Sequence, residues 1–422
     1  MGMFGSRVRR ILQFVVAAVV VLLPVAMQPA TAAAASGTLY GISGTAAGQD
    51  VVTIDPISGA EIQLTDLTVP GAIDAQSSNL TADPATHRLF LIRTVVTGFD
   101  PTYGFPIFEF QVVTINALSG AITSSPAFSG MFAQSIKFDT ASGSLFGITQ
   151  TQVVKVDPAT AAITPFASIP NPYGVYVYSM AVDSASHTLY LSQEDVSGSV
   201  ETNSTRIYSV NTLVSGSIST GVVTDNAVRQ IGVDGALLYG ITECCAHNLV
   251  GIDKSSGVTS QIAQVGDSST IVGFGTAADP TTNTIFVSIE TNDPVTGAFN
   301  NELLDIDVSS PGVSTTAPLT AGFTDDGLVF VPPAPIITPQ SIANDVNAAL
   351  AGGKITNAGV ARSLLAELSA AANALLRGQC TTAANDYQAF IKDVQAQSGK
   401  LIEAATANQL ISEARILIAS CP

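Results

Sequence analysis

One paragraph of sequence recurs along most of this chain, and it constrains the fold more than any other feature. Its clearest copy, Ser135–Ile169, reads SIKFDTASGSLFGITQTQVVKVDPATAAITPFASI. Four apolar or β-branched runs, Ser135–Phe138, Leu145–Thr149, Val153–Val156 and Ile163–Ser168, have the length and composition of strands. Turn-forming clusters at Asp139–Gly143 and Asp157–Ala161 separate the first pair and the last pair. The first half returns at Ser78–Ile92, Tyr178–Ser192, Arg229–Thr242 and Phe274–Ile289. The second half returns at Val51–Leu67, Val112–Phe128, Ile207–Val223, Leu249–Val265 and Leu303–Leu319. Successive units start about 40 to 57 residues apart, the size of one four-stranded propeller blade.

Five units are complete, and the first, Gly37–Leu67, lacks its opening strand. Asp326–Val331 (DGLVFV) has strand character and no partners after it. The two deficits match. The last strand is therefore expected to complete the first blade, which leaves no long exposed edge. The prediction is an all-β, six-bladed β-propeller over 36–332. A sandwich would not repeat one four-strand unit six times, and a β-helix has shorter coils without this turn rhythm.

Ahead of the repeats, Arg7, Arg9 and Arg10 precede the apolar run Ile11–Met27 and the small residues Ala30–Thr31–Ala32. This order predicts a secretory signal peptide over 1–35, with the route of export left open. Cleavage would remove three arginines and no acid, taking the formal charge from −17 to −20. The expected mature chain is a secreted, acidic protein without a transmembrane segment. Such a surface does not suit nucleic acid, whose phosphates need Lys and Arg. The low lysine content with abundant Ala, Thr, Gly and Val points to a GC-rich bacterium. After the propeller, PPAPIITP (Pro332–Pro339) predicts a stiff linker over 333–340. The period then changes from two to 3.6. Ile342, Val346 and Leu350, then Leu364, Leu368, Ala371 and Leu375, mark two helices. Tyr387, Phe390, Ile391 and Val394, then Ala407, Leu410, Ile411, Ala414 and Ile418, mark two more. A small all-α bundle over 341–422 follows from these spacings.

This tail resembles the FIMAH domain, a helical module at the C-terminal end of secreted bacterial proteins. The resemblance rests on Ala389–Phe390–Ile391, Val394, Gly399–Lys400–Leu401 and the Ala407–Leu410–Ile411–Ala414 face. It implies an accessory, extracellular role and brings no catalytic residues. The propeller is similar to the YVTN and PQQ-type repeat propellers with their IDPxTG turns, an architecture shared by binders and enzymes.

The most repetitive polar residues are acids at strand ends. Asp83, Asp139, Asp183, Asp234 and Asp279 close first strands; Asp55, Asp157, Asp253 and Asp307, with Asn116 and Asn211, close third strands. A ring of carboxylates invites a metal, but Asp and Asn before Pro, Ser, Thr or Gly bond the turn backbone. They read as turn residues, and no metal site is assigned. His87 and His187 fall in turns, and His247 follows Cys244–Cys245. No HExxH, Cys-x-x-Cys, G-x-S-x-G or phosphate-binding glycine loop occurs. Cys380 and Cys421 flank a helical hairpin and are expected to pair, which would contribute about 4 kcal/mol by chain entropy. Cys244 and Cys245 either form a strained vicinal disulfide or sit in a rigid turn without one.

In a propeller the connections between strands two and three share one face with those between blades. Here they vary most, at Ser43–Asp50, Thr94–Glu109, Glu194–Ser204, Glu243–Asn248 and Thr291–Asn301. Variable loops on a rigid repeat are where sites are grafted. The expected ligand-binding residues are Tyr103, Phe105, Glu109, Glu194, Glu243, His247 and Glu290, with Arg229 at an inner strand start. Aromatics beside carboxylates suit a polar or sugar-like ligand. The leading expectation is an extracellular binding protein, with a glycan or protein partner and no cofactor or catalytic residue. The alternative is a hydrolase or lyase of the lactonase or sugar-lyase kind, holding a cation such as calcium at the channel mouth. A quinone enzyme is disfavoured because the chain has no Trp.

Overall fold

The computed structural model describes residues 37–45, 48–69, 74–128, 135–149, 151–170, 177–197, 200–242, 246–267, 270–271, 275–292, 299–310, 314–319, 322–333 and 337–419. The expected signal peptide, Glu243, Cys244, Cys245 and Cys421 lie outside these residues.

Six antiparallel four-stranded blades form a propeller ring. Blade one is Gly322–Val331, Thr38–Thr45, Gly48–Ile54 and Glu61–Asp66, taken from the axis outward. Blade two is Asp74–Asp83, Arg88–Phe99, Pro106–Asn116 and Ile122–Ser124. Blade three is Ile136–Asp139, Ser144–Ile148, Gln152–Val156 and Ile163–Ser168. Blade four is Val177–Asp183, Thr188–Ser197, Val200–Asn211 and Val222–Val223. Blade five is Val228–Asp234, Leu237–Thr242, Ala246–Ile252 and Thr259–Asp267. In blade six, Thr270–Ile271 and Thr276–Asp279 both pair with Thr284–Asn292, so the inner strand is in two pieces. Phe299–Asp307 and Ser314–Leu319 complete that blade.

The closure expected from the sequence is present. Gly322–Val331 pairs with Thr38–Thr45, setting Phe330 opposite Leu39 and Leu328 opposite Gly41. Each inner strand then contacts the inner strand of the next blade all the way round. Because every blade is covered on both faces, the packed part of its second strand carries an apolar run instead of an alternation, as blade two shows. Leu89, Phe90, Leu91 and Ile92 are all buried. They feed two different cores, Leu89 and Leu91 with blade one, Phe90 and Ile92 with blade three.

The turn reading of the acids holds. Asp55 Oδ1 accepts the N–H groups of Ile57 and Ser58, both at 2.9 Å, and Asn116 Oδ1 does the same for Leu118 and Ser119. The glycine ending this turn sits against the preceding blade. At Gly120 (φ +70°) an added Cβ would lie 2.4 Å from the Leu64 carbonyl oxygen, so no side chain fits. At the inner strands, Asp83 accepts from Ala85 N–H and from Arg88, and Asp279 from Thr281 and Thr282. Asp234 closes a tighter turn without such donors, and burial, with Asp279 nearby, pushes its pKa up.

The tail is a cluster of four helices, α1 (Pro339–Ala351), α2 (Ala358–Leu376), α3 (Cys380–Gln397) and α4 (Ala404–Ala419). The first helix starts at Pro339, where a missing N–H costs nothing, and Thr338 and Ser341 form a reciprocal capping box. Asn357 caps α2 through the N–H groups of Gly359 and Val360. The apolar spacing meets in one core of its own, including Val346, Leu364, Leu368, Tyr387, Phe390 and Leu410. The Gly399–Lys400–Leu401 turn pairs with the α1–α2 connection, Thr356 N–H donating to the Leu401 carbonyl at 2.9 Å. No helix among the described residues is long and apolar enough to cross a membrane.

Candidate functional site on the loop face

The second and third strands of blade two run for 12 and 11 residues, whereas those of blade three run for 5 each. The extra length forms a hairpin that projects past the packed part of the ring. Its tip is rigid by construction. Asp100 Oδ1 accepts the N–H groups of Thr102 (2.7 Å) and Tyr103 (2.9 Å). The Asp100 N–H donates to the Phe105 carbonyl at 2.7 Å, and Gly104 supplies the left-handed residue at φ +68°. At the base, Arg93 is buried and donates to Gln111 Oε1 (2.7 Å) and Ser124 Oγ (2.8 Å), tying three strands together.

On this scaffold Tyr103 and Phe105 are 75% and 68% exposed, with ring centroids 6.3 Å apart and planes 28° from parallel. The structure adds Phe99, Ile107 and Phe108, which are 55%, 46% and 47% exposed. The sequence reading places these three inside the Thr94–Glu109 connection and assigns them no role, whereas Arg88–Phe99 and Pro106–Asn116 extend as strands through most of it. One signal was available: Pro106–Phe108 abandons alternation on a hairpin longer than the repeat requires. Glu109 stands half-buried below the tip, opposite Val95.

The remaining expected residues share this face on other blades. Glu194, half-buried, pairs in register with Thr205 beside a bulge, next to the Asp195–Arg206 ion pair at 2.7 Å. His247 Nδ1 lies 3.0 Å from the Thr242 carbonyl, so Nδ1 carries the proton and the ring clips its own hairpin. Glu290 is half-buried between Asn301 and Ile271. Arg229 is exposed at the inner strand start of blade five, and its carbonyl accepts from Ser192 Oγ at 3.1 Å. Tyr103 and Phe105 are thus brought together in one cluster, with Glu109 at its base. Among the described residues no group of three or more His, Cys, Asp or Glu side chains is placed to hold a metal ion.

In the tail, Phe390 is fully buried, Ile391 packs beside it, and Ala407, Leu410 and Ala414 face them from α4. The tail matches the FIMAH domain. The match covers residues 339–419, from the start of α1 to the end of α4. No curated protein matches the chain. Among solved structures the propeller is similar to a chain of a nidogen/laminin complex, at 10% identity and TM-score 0.45, over 70% of this chain and 98% of that one. It is also similar to an oligogalacturonate lyase in complex with manganese, at 11% identity and TM-score 0.39, over 68% of this chain and 75% of that one. A third is the periplasmic gluconolactonase of Pseudomonas aeruginosa, at 15% identity and TM-score 0.35, over 67% and 99%. They share a propeller architecture, and some of them bind while others catalyse.

Proposed function

We propose that this chain is an extracellular binding protein that presents the blade-two hairpin to a glycan-bearing surface, with the FIMAH-like tail as an accessory module. One observation carries the reading: Tyr103 and Phe105 stand exposed side by side on a hairpin tip fixed by its own hydrogen bonds, with Phe99, Ile107 and Phe108 exposed on the same hairpin. Exposed apolar clusters rimmed by polar groups mark interaction sites, because leaving them in water is unfavourable. Tyr103 and Phe105 offer ring faces to the apolar side of a sugar, while Glu109 stands where hydroxyls would be met. The export signal read at the N-terminus agrees with such a role.

The test is a glycan array probed with the wild-type chain, with Tyr103→Ala/Phe105→Ala, and with Leu118→Ala. Leu118 is 73% exposed in a turn of the same blade on the opposite face. Binding by the wild type and the Leu118 variant, lost in the double variant, supports the proposal. Equal loss in both variants overturns it, as does cation-dependent turnover of a lactone or glycan, which would favour the hydrolase or lyase alternative.

A further inference from the structure

The inner strands enclose a cavity of about 460 Å³ on the propeller axis, at the end where the first-to-second-strand turns gather. All six blades contribute to its wall. Repeat register allows the wall to be compared blade by blade. The position two residues before the closing residue of each inner strand is Val329, Thr81, Lys137, Ala181, Gly232 and Ala277 in blades one to six. All six of these residues line the cavity. Five are small or uncharged, and blade three alone departs from its own repeat with a lysine.

That lysine is also electrostatically anomalous. The described propeller contains seven Lys and Arg residues. Arg88 pairs with Asp83, Arg206 with Asp195 and Lys254 with Asp183. Arg93 is held by Gln111 and Ser124, Lys155 lies over Phe146 and Phe166, and Arg229 has a partner as well. The half-buried side chain of Lys137 forms no hydrogen bond or ion pair among the described residues. The one acid on the cavity wall, Asp183, is engaged by Lys254 and by Ser186 Oγ at 2.7 Å. Lys137 is therefore the one propeller cation whose side chain no acid or acceptor engages among the described residues, two residues along the strand from the ring of closing acids Asp83, Asp139, Asp183, Asp234 and Asp279.

We propose that this axial cavity binds a small monocarboxylate, with Lys137 as its counter-ion. A half-buried ammonium gains most from a charge-assisted hydrogen bond to an anion. One cation in an otherwise uncharged ring neutralises one negative charge, which favours a monocarboxylate over a phosphate dianion. Each inner strand pairs along one edge with the second strand of its blade, and on the other edge Phe138 N–H donates to Thr81 Oγ1 (3.0 Å) and Ile231 N–H to Ser179 Oγ (3.3 Å), so the ammonium of Lys137 is the donor left for an anion. Val329, half-buried, and the small residues Ala181, Gly232 and Ala277 line the cavity beside Lys137 and leave room for a short hydrocarbon tail. The volume falls within the range of small-molecule sites. The site is independent of the blade-two hairpin, which lies at the other end of the ring.

The test is a titration of the full chain at pH 7, by calorimetry and saturation-transfer NMR, with butanoate, butanamide and inorganic phosphate. Butanoate should bind saturably at one site, and butanamide, equal in shape but neutral, should not. Lys137→Met should weaken butanoate at least about tenfold and Lys137→Arg should retain it, as expected for one charge-assisted bond. If Lys137→Met loses the wild-type circular dichroism spectrum, the comparison of butanoate with butanamide on the wild type decides. No saturable butanoate binding by the wild type overturns the proposal. So does equal binding by a folded Lys137→Met, or tighter binding of phosphate than of butanoate.

Discussion

Replacing Glu367 by Gln should stabilise the helical tail at alkaline pH and leave it nearly unchanged in acid. Glu367 projects from α2 toward α3, and its Oε2 is buried without a hydrogen-bond partner among the described residues. Burial, then the charge of Asp393, which also faces it as a hydrogen-bonding carboxyl, then Asp386, push its pKa up from 4.5 to about 7. The sign follows from proton counts. Between those two values the folded tail holds a proton that the unfolded chain has released, so stability falls as pH rises through that window. It is fully present below the unfolded value and gone above about pH 7. The whole shift is worth about 3.5 kcal/mol at about 1.4 kcal/mol per pH unit. The side chain is partly exposed, and solvent screening reduces the expected effect to about 1–2 kcal/mol. Glu413 of α4, buried and beside Asp345 of α1, is shifted the same way, so Glu367→Gln should flatten the pH dependence without abolishing it. The assay is urea unfolding of the full chain followed by helical circular dichroism at pH 5 and pH 8. A wild-type tail that gains stability over this interval would refute the reasoning, and so would an unaltered slope in Glu367→Gln.

Gly120→Ala should destabilise the propeller by about 2–4 kcal/mol in denaturant unfolding, because strain at φ +70° adds to a clash with the Leu64 carbonyl. Tyr387→Phe should be neutral or stabilising by about 1 kcal/mol, since the buried Tyr387 hydroxyl has no hydrogen-bond partner to lose among the described residues; a loss above that size would reveal a partner. Non-reduced peptide mapping of protein from culture medium should show a Cys380–Cys421 link and an N-terminus near Ala32–Ala35. Free thiols at both positions, or a retained Met1, would contradict the export reading.

The ring was legible in the sequence because each blade is a local event. Strand runs, Asp-led turns and the glycine at Gly59, Gly120 and Gly257 recur at fixed offsets, and the orphan strand at Asp326–Val331 matched the gap before Leu39. The helices were legible for the same reason, since Tyr387, Phe390 and Val394 carry a period that a strand cannot use. What escaped notice depends on contacts between elements. Phe99, Ile107 and Phe108 sit unremarked in the Thr94–Glu109 connection until the two strands are seen to extend through it and leave them exposed. Lys137 looks like an ordinary strand residue until six inner strands converge on one axis. The Glu367–Asp393 pair joins two helices whose facing sides no spacing rule identifies. In blade six the sequence signals only the second piece of the inner strand, within Phe274–Ile289, because Thr270–Ile271 is too short to signal a strand by itself.

The central claim is that the blade-two hairpin is the surface that meets a ligand. The direct measurement is ¹⁹F NMR of the full chain carrying 4-fluorophenylalanine at position 105 or, as the control on the opposite face, at position 118. Each form is titrated with the glycan that the array binds best. The account predicts a saturable shift of the position-105 signal with the position-118 signal unmoved. A bound glycan that leaves position 105 unshifted, or shifts both positions alike, would contradict it.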